Sequence, residues 1–204
     1  MTKGYFITFE GVDGCGKTTQ LALVEKYLKE QGYEVVTTRE PGGQKLGLQL
    51  REILLHYDGE VSSTCELFLY LADRAQHIDT IVRPALEKGF IVLCDRHTDS
   101  TLAYQGYARG LDLKQLKSLN NLATSGLKPD LTLLYDVSAE VAQTRIGKQK
   151  DRLESESMEF HNKVRSGYSK LAQQDSKRIK VINADLDIES VCEKTLEWVK
   201  MLLK

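Results

Sequence analysis

Residues 11–18 read Gly11-Val12-Asp13-Gly14-Cys15-Gly16-Lys17-Thr18, the spacing G-x-x-x-x-G-K-[ST]. Gly11, Gly14 and Gly16 allow successive backbone N–H groups to turn inward around phosphate oxygens. Lys17 then places an ammonium on the β- and γ-phosphates of a nucleotide, and the Thr18 hydroxyl offers a ligand to Mg²⁺. The flanks agree with this. Residues 5–9 form a short β-rich run just before the loop, and Leu21, Val24 and Leu28 recur at helical spacing just after it. A strand, a glycine-rich turn and a helix N-terminus in that order make an anion site, the P-loop.

Outward from this loop, short apolar β-rich runs alternate with helical patterns. The runs are 5–9, 34–38, 90–94, 131–136 and 179–183. Helical spacing covers about 17–31, 45–56, 64–88, 113–125, 138–147, 155–174 and 187–203. Near-continuous apolar strands such as Phe90-Ile91-Val92-Leu93-Cys94 suit a parallel sheet covered on both faces. The pattern therefore predicts an α/β, three-layer P-loop fold: one five-stranded parallel sheet with right-handed crossovers, in a single domain over 1–204. Ligands of such sheets collect at the carboxyl ends of the strands. Here those ends carry the P-loop, Arg39-Glu40-Pro41-Gly42-Gly43, Asp95-Arg96-His97, Asp136-Val137-Ser138 and Asn183-Ala184-Asp185.

Bulk properties narrow the classes. A net charge of −1 over 204 residues gives no basic field for nucleic acid. No apolar run approaches the ~18–20 residues of a membrane span. The N-terminus runs almost at once into a strand, so no signal peptide is expected. Cys15, Cys65, Cys94 and Cys192 are scattered without metal-type spacing, which predicts free thiols in a reducing cytoplasm.

A nucleotide loop alone leaves GTPases, motor ATPases and small-molecule kinases open. The chain has no N-K-x-D guanine-reading tetrad; Asn183-Ala184-Asp185 is the nearest candidate. The third run ends Asp95-Arg96, without the Asp-Glu of a motor ATPase. Arg39, Arg51, Arg74 and Arg96 all fall after strands or on helices near the sheet's carboxyl edge. Such a cluster is what a second phosphorylated substrate, facing ATP, requires. The charged segment 145–154, with Arg145 and Arg152, has the composition of a lid that closes over phosphates and excludes water. A solvated helix–helix connection is the plainer alternative.

These residues resemble the thymidylate kinase family over essentially the whole chain. The resemblance rests on segments 9–20, 38–43, 50–55, 71–77, 95–106, 151–154 and 164–168, of which 95–106 is the most specific. It implies transfer of a phosphoryl group from ATP to dTMP, with Mg²⁺ as cofactor. The resemblance gives Gly11, Asp13, Gly14, Cys15, Gly16, Lys17, Thr18 and Thr19 to ATP, with Arg145 against the adenine and Glu154 near the acceptor sugar. Thr18 and Asp95, the latter through water, would hold the metal. Asp13 would orient the acceptor through its 3′-hydroxyl; an Asx-type bond within the loop is its structural alternative. Arg96, supported by Arg39, would clamp the acceptor phosphate, with Arg51 nearby. Tyr70, Arg74, Ser100, Thr101, Tyr104 and Gln105 would read the base. Arg74 would donate to O4, and Gln105 would pair with N3 and O2 because an amide both donates and accepts.

In the family this chain resembles, Phe mostly stands where this chain has Tyr70; Phe68 lies off the helical face of Arg74 and is expected in the core. One subgroup has an arginine at the place of Gly14, and the bacterial subgroup supplies that cation from the lid. Gly14 together with Arg152 matches the second, so the catalytic set is Lys17, Arg96, Arg152 and Asp13. His97 is expected to be structural, and Tyr168 either crowds the 2′ position or packs against the core. The resemblance also implies a homodimer through helices around 64–77 and 113–125. A broader pyrimidine deoxynucleotide kinase, or a P-loop switch without phosphoryl transfer, are the alternative functions.

Overall fold

The computed structural model describes residues 3–147 and 151–204. Five strands, β1 (Tyr5–Glu10), β2 (Val35–Arg39), β3 (Ile91–Asp95), β4 (Leu131–Asp136) and β5 (Ile179–Asn183), pair in parallel in the order β2-β3-β1-β4-β5. β1 lies at the centre, between β3 and β4. Alternation along the strands feeds two cores, as a sheet covered on both faces requires. Ile7, Phe9 and Leu93 face a large core with Val24, Leu28 and Val199. Phe6, Val92 and Cys94 face a smaller one with Ile78, Val82 and Ala85.

The helices are α1 (Lys17–Glu30), α2 (Lys45–His56), α3 (Ser63–His77), α4 (Arg83–Glu87), α5 (Thr98–Thr101), α6 (Leu113–Ala123), α7 (Ala139–Arg145), α8 (Met158–Gln174) and α9 (Ile188–Leu202). Side-chain caps start several of them: Ser62 accepts from Cys65 N, Asp112 from Gln115 N, and Ser157 from Phe160 N. Each cap satisfies an N–H that the first helical turn leaves without a partner.

All five strands fall where the sequence placed them, to within one residue at each end. The long helical pattern at 64–88 is broken by a π-helical turn over Ile78–Val82 before α4, whose second residue is Pro84. A proline has no N–H to continue the α-helical ladder, so the turn widens there. One helical region escaped the sequence altogether. Residues 98–108 form α5 and a π-helical turn, Leu102–Ala108, in a stretch whose Thr, Ser and Gly content reads as loop.

Strand register fixes the working edge. Phe9 pairs with Asp95, Arg39 with Asp95, and Asp136 with Asn183. The P-loop after β1 therefore emerges beside Asp95-Arg96 and one strand away from Arg39.

Candidate active site

Two adjoining pockets occupy the carboxyl edge of the sheet. The larger, about 610 Å³, runs along the P-loop from Asp13 to Gln20 and on to Arg145, Ala184, Leu186 and Ile188. The smaller, about 60 Å³, lies between α2, α3 and the 98–108 helix. Asp13, Glu40, Arg51 and Arg96 line both, so they form the ridge between the pockets.

The P-loop takes its shape from close backbone approach. Gly11 has φ 140°, and a Cβ there would stand 2.5 Å from the Tyr135 carbonyl. Gly14 has φ 79°, and its Cβ would strike the Ala142 carbonyl of α7. An arginine at position 14 therefore has neither backbone nor space in this chain. Lys17 donates Nζ to the carbonyls of Gly11 (3.2 Å) and Val12 (3.0 Å), so it lies folded across the loop. Thr18 Oγ1 donates to Asp95 Oδ2 at 3.3 Å. Asp95 Oδ1 is buried without a hydrogen-bond partner among the described residues. A hydroxyl and a carboxylate side by side, with an unsatisfied oxygen, fit Mg²⁺. A closer-packed set, Glu40, His77 and Cys94, is buried and already satisfied. Glu40 Oε1 contacts His77 Nδ1 at 2.9 Å and His97 Nδ1 at 3.0 Å, and Cys94 Sγ donates to Arg96 O. Those groups brace the loop after β2.

Arg96 organises the ridge. Its φ of 71° is rare for a residue with a side chain, and such strain persists where the surroundings enforce it. Nη2 donates to Asp13 Oδ1 at 2.6 Å and to Tyr104 Oη at 3.2 Å, and Nη1 donates to Gly11 O, Ser100 Oγ and Tyr168 Oη. Burial would push the Asp13 carboxyl up, but Arg96, Lys17 and Tyr104 outweigh it and hold Asp13 well below the usual carboxylate range. Arg51 is pushed down by burial and by neighbouring Arg39 and Arg96. Cations so crowded gain from an anion among them.

The smaller pocket brings together Tyr70, Arg74, Ser100, Thr101, Tyr104 and Gln105, all six of the residues expected to read the base. The π-helical turn explains how residues 100, 101, 104 and 105 converge, because i, i+4 and i+5 share one face when the turn is wide. Arg74 is 2% exposed and donates to Glu40 (2.7 Å), Thr101 (2.8 Å), Asn120 (2.6 Å) and the His97 carbonyl (3.1 Å). Four of its five N–H donors are thus committed, leaving one for a ligand. Asp151 and Leu153 lie across the same pocket.

Other placements follow the expectations unevenly. Arg39, Thr19, Cys15, Gly16 and Glu154 line the large pocket. Arg145 lines it at the far end, donating to Ala184 O at 3.0 Å. Arg152 does not line it. Its Nε donates to Leu54 O at 2.9 Å, and its Nη2 pairs with Glu66 at 2.7 Å. Residues 148–150 of the expected lid lie outside the described residues. His97 is buried, with Nδ1 3.0 Å from Glu40 Oε1 and its backbone N–H donated to Glu10 Oε1. Tyr168 is packed, its hydroxyl donating to Glu10 Oε2 at 2.8 Å and meeting Ser100 Oγ, below Arg96. Phe68 is not in the core: it is 55% exposed, because the buried stripe of α3 runs through Leu67, Leu71 and Arg74.

Sequence reasoning missed Glu10, Glu66 and Asn120. Glu10, fully buried, accepts from His97 N, Ser100 N, Ser100 Oγ and Tyr168 Oη. Burial raises its pKa to about 7, Asp99 adds to the rise, and Ser100 and Arg96 oppose it. A carboxylate ending an apolar strand was the available signal, but its partners lie up to 158 positions away.

Comparison with known proteins agrees with this geometry. The family model described as thymidylate kinase matches residues 9–195. A thymidylate kinase of Sulfurihydrogenibium sp. is 50% identical over 189 residues, covering 92% of this chain and 93% of that one. One from Desulfovibrio desulfuricans is 48% identical over 205 residues, with 94% of each covered. The crystal structure of thymidylate kinase from Ehrlichia chaffeensis superposes with a TM-score of 0.82 at 37% identity, covering 97% of this chain and 99% of that one. With the match spanning the P-loop, the ridge and the smaller pocket alike, the chain belongs to the thymidylate kinase family.

Proposed function

We propose that the chain transfers the γ-phosphoryl group of ATP to dTMP, giving dTDP and ADP, across the ridge of Asp13 and Arg96. The observation that supports this is the sharing of Asp13, Arg51 and Arg96 by the pocket along the P-loop and the smaller pocket lined by Tyr70, Arg74 and Gln105. Two phosphorylated substrates held on opposite sides of one guanidinium face each other. The attacking phosphate oxygen is already anionic, so positioning and charge neutralisation suffice and no general base is needed.

In this scheme ATP lies along the P-loop with its adenine towards Arg145 and Leu186. Lys17 turns from the loop carbonyls to the phosphates. Thr18, with Asp95 through water, would hold Mg²⁺, which would supply positive charge to the phosphates. Arg96 and Arg39 grip the acceptor phosphate, and Asp13 keeps Arg96 in place while facing the acceptor sugar. Arg152 acts from the lid. For this it leaves Glu66 and Leu54 as the segment moves, and the same movement enlarges the base pocket. At about 60 Å³ that pocket is well below the roughly 300 Å³ of ordinary ligand sites.

Exposed Phe68 on α3 and Leu122 on α6, helices that pack together, support a homodimer through that face. Free thiols at all four cysteines suit the cytoplasm. An acceptor panel tests the function. ADP release with dTMP should exceed that with CMP, UMP or AMP by at least about a hundredfold, whereas dUMP, lacking one methyl, should be a slower substrate by about ten- to two-hundredfold. Equal rates across the panel would reject the assignment.

A further inference from the structure

Glu66 of α3 is 1% exposed, yet three hydrogen bonds and a further ion pair converge on its carboxylate. Gln105 Nε2 donates to Oε1 at 2.9 Å, Arg109 donates Nε at 3.3 Å and Nη2 at 3.2 Å, and Arg152 Nη2 stands 2.7 Å from Oε2. Burial pushes the Glu66 carboxyl up, but the bonds from Gln105, Arg109 and Arg152 prevail and hold it below its ordinary value. An ionised carboxylate only accepts hydrogen bonds. Gln105 is therefore not free to flip, since turning Oε1 towards Glu66 would set two acceptors against each other in a buried site. With Nε2 committed to Glu66, Oε1 and the second Nε2 hydrogen are the amide's remaining groups. Oε1 accepts no hydrogen bond among the described residues, and Gln105 lines the base pocket.

We propose that Glu66 is a specificity-positioning residue that, through Gln105, presents an acceptor to ring nitrogen N3 of the base. Thymine and uracil carry N3–H and donate to that oxygen. Cytosine carries a lone pair at N3, so two acceptors would meet beside the buried Gln105. Glu66 touches no substrate; it fixes which end of the amide does. Arg109, which stays on Glu66 when Arg152 leaves with the lid, keeps it ionised and so keeps the amide from turning. The inference rests on the acceptor being dTMP.

The test is steady-state kinetics of Glu66→Gln with dTMP and dCMP. A glutamine at 66 can donate as well as accept, so the Gln105 amide becomes free to turn. The ratio of kcat/KM for dTMP to that for dCMP should fall by about tenfold or more. A ratio within about threefold of wild type, even with both activities falling in parallel, overturns the proposal. Arg109 and Arg152 are partly exposed and can reach water, which favours a folded variant. Should it still not fold, neutron diffraction from wild-type crystals with dTMP reads the amide directly. Deuterons of Nε2 towards Glu66, with Oε1 on N3, are expected; the reverse orientation overturns the idea. A wild type inert towards dTMP would instead reject the function itself, leaving the two failures distinct.

Discussion

Arg96 and Asp13 form a 2.6 Å ion pair between residues 83 positions apart, joining the end of β3 to the P-loop on the ridge between the two pockets. The residue expected to grip the acceptor is thus held by the loop that cradles the donor. Arg96 makes five side-chain hydrogen bonds with both of its terminal nitrogens. A lysine ammonium cannot reproduce that fork. Arg96→Lys should lower kcat/KM for dTMP by about ten- to a hundredfold, with little change in the binding of ATP alone measured by calorimetry. Near-wild-type turnover would remove Arg96 from the clamp.

Arg152 pairs with Glu66, away from the nucleotide pocket, yet Gly14 leaves the P-loop without an arginine of its own. If the lid supplies the missing cation, Arg152→Ala should reduce kcat by at least about tenfold while KM for dTMP changes little. A kcat within about threefold of wild type would mean that Arg152 only anchors the segment to α2.

Gly14 itself is a test of the subgroup assignment. Placing an arginine there forces a side chain into φ 79° and against the Ala142 carbonyl. Such strain costs about 1–3 kcal/mol, so Gly14→Arg should lower Tm by about 3–10 °C in calorimetry. An unchanged Tm would show that the loop and α7 part easily.

Glu10 gives a pH signature. Its carboxyl is raised by burial from the ordinary 4.5 to about 7. A raised acid favours the folded state while protonated, and that contribution is present below about 4.5 and is lost as pH climbs through about 7. Gln at this position cannot titrate. The Tm of wild type relative to Glu10→Gln should therefore fall between pH 5 and 8, by the linkage that governs about one proton. A constant difference across that range would place the Glu10 carboxyl near its ordinary value.

Much of this was readable from the chain, for reasons that differ by residue. The inner strands β1, β3 and β4 announced themselves because a doubly covered parallel sheet makes them mostly apolar, whereas the edge strands β2 and β5 carry Thr37, Thr38 and Arg39 or Lys180 and Asn183. The P-loop stood out because its glycines, lysine and threonine each have one physical task. All six expected base-pocket residues line the smaller pocket. Their secondary structure was not legible: a π-helical turn has no familiar periodicity, and Thr98 to Gly106 resembles a loop in composition. Phe68 was expected in the core because it lies off the helical face of Arg74; it is exposed instead because the buried stripe of α3 runs through Leu67, Leu71 and Arg74. Glu66 and Glu10 stayed hidden because a buried carboxylate is defined by partners distant in sequence, which no local pattern records.

Phosphoryl transfer from ATP to dTMP across the Arg96–Asp13 ridge leaves a direct chemical record. Phosphorus-31 NMR of ATP, Mg²⁺ and dTMP with catalytic enzyme measures it most directly. dTDP and ADP should appear in equal amounts with no inorganic phosphate, and ATP should stay intact without dTMP. Release of inorganic phosphate from ATP in the absence of dTMP, or ADP formation without matching dTDP, would contradict it.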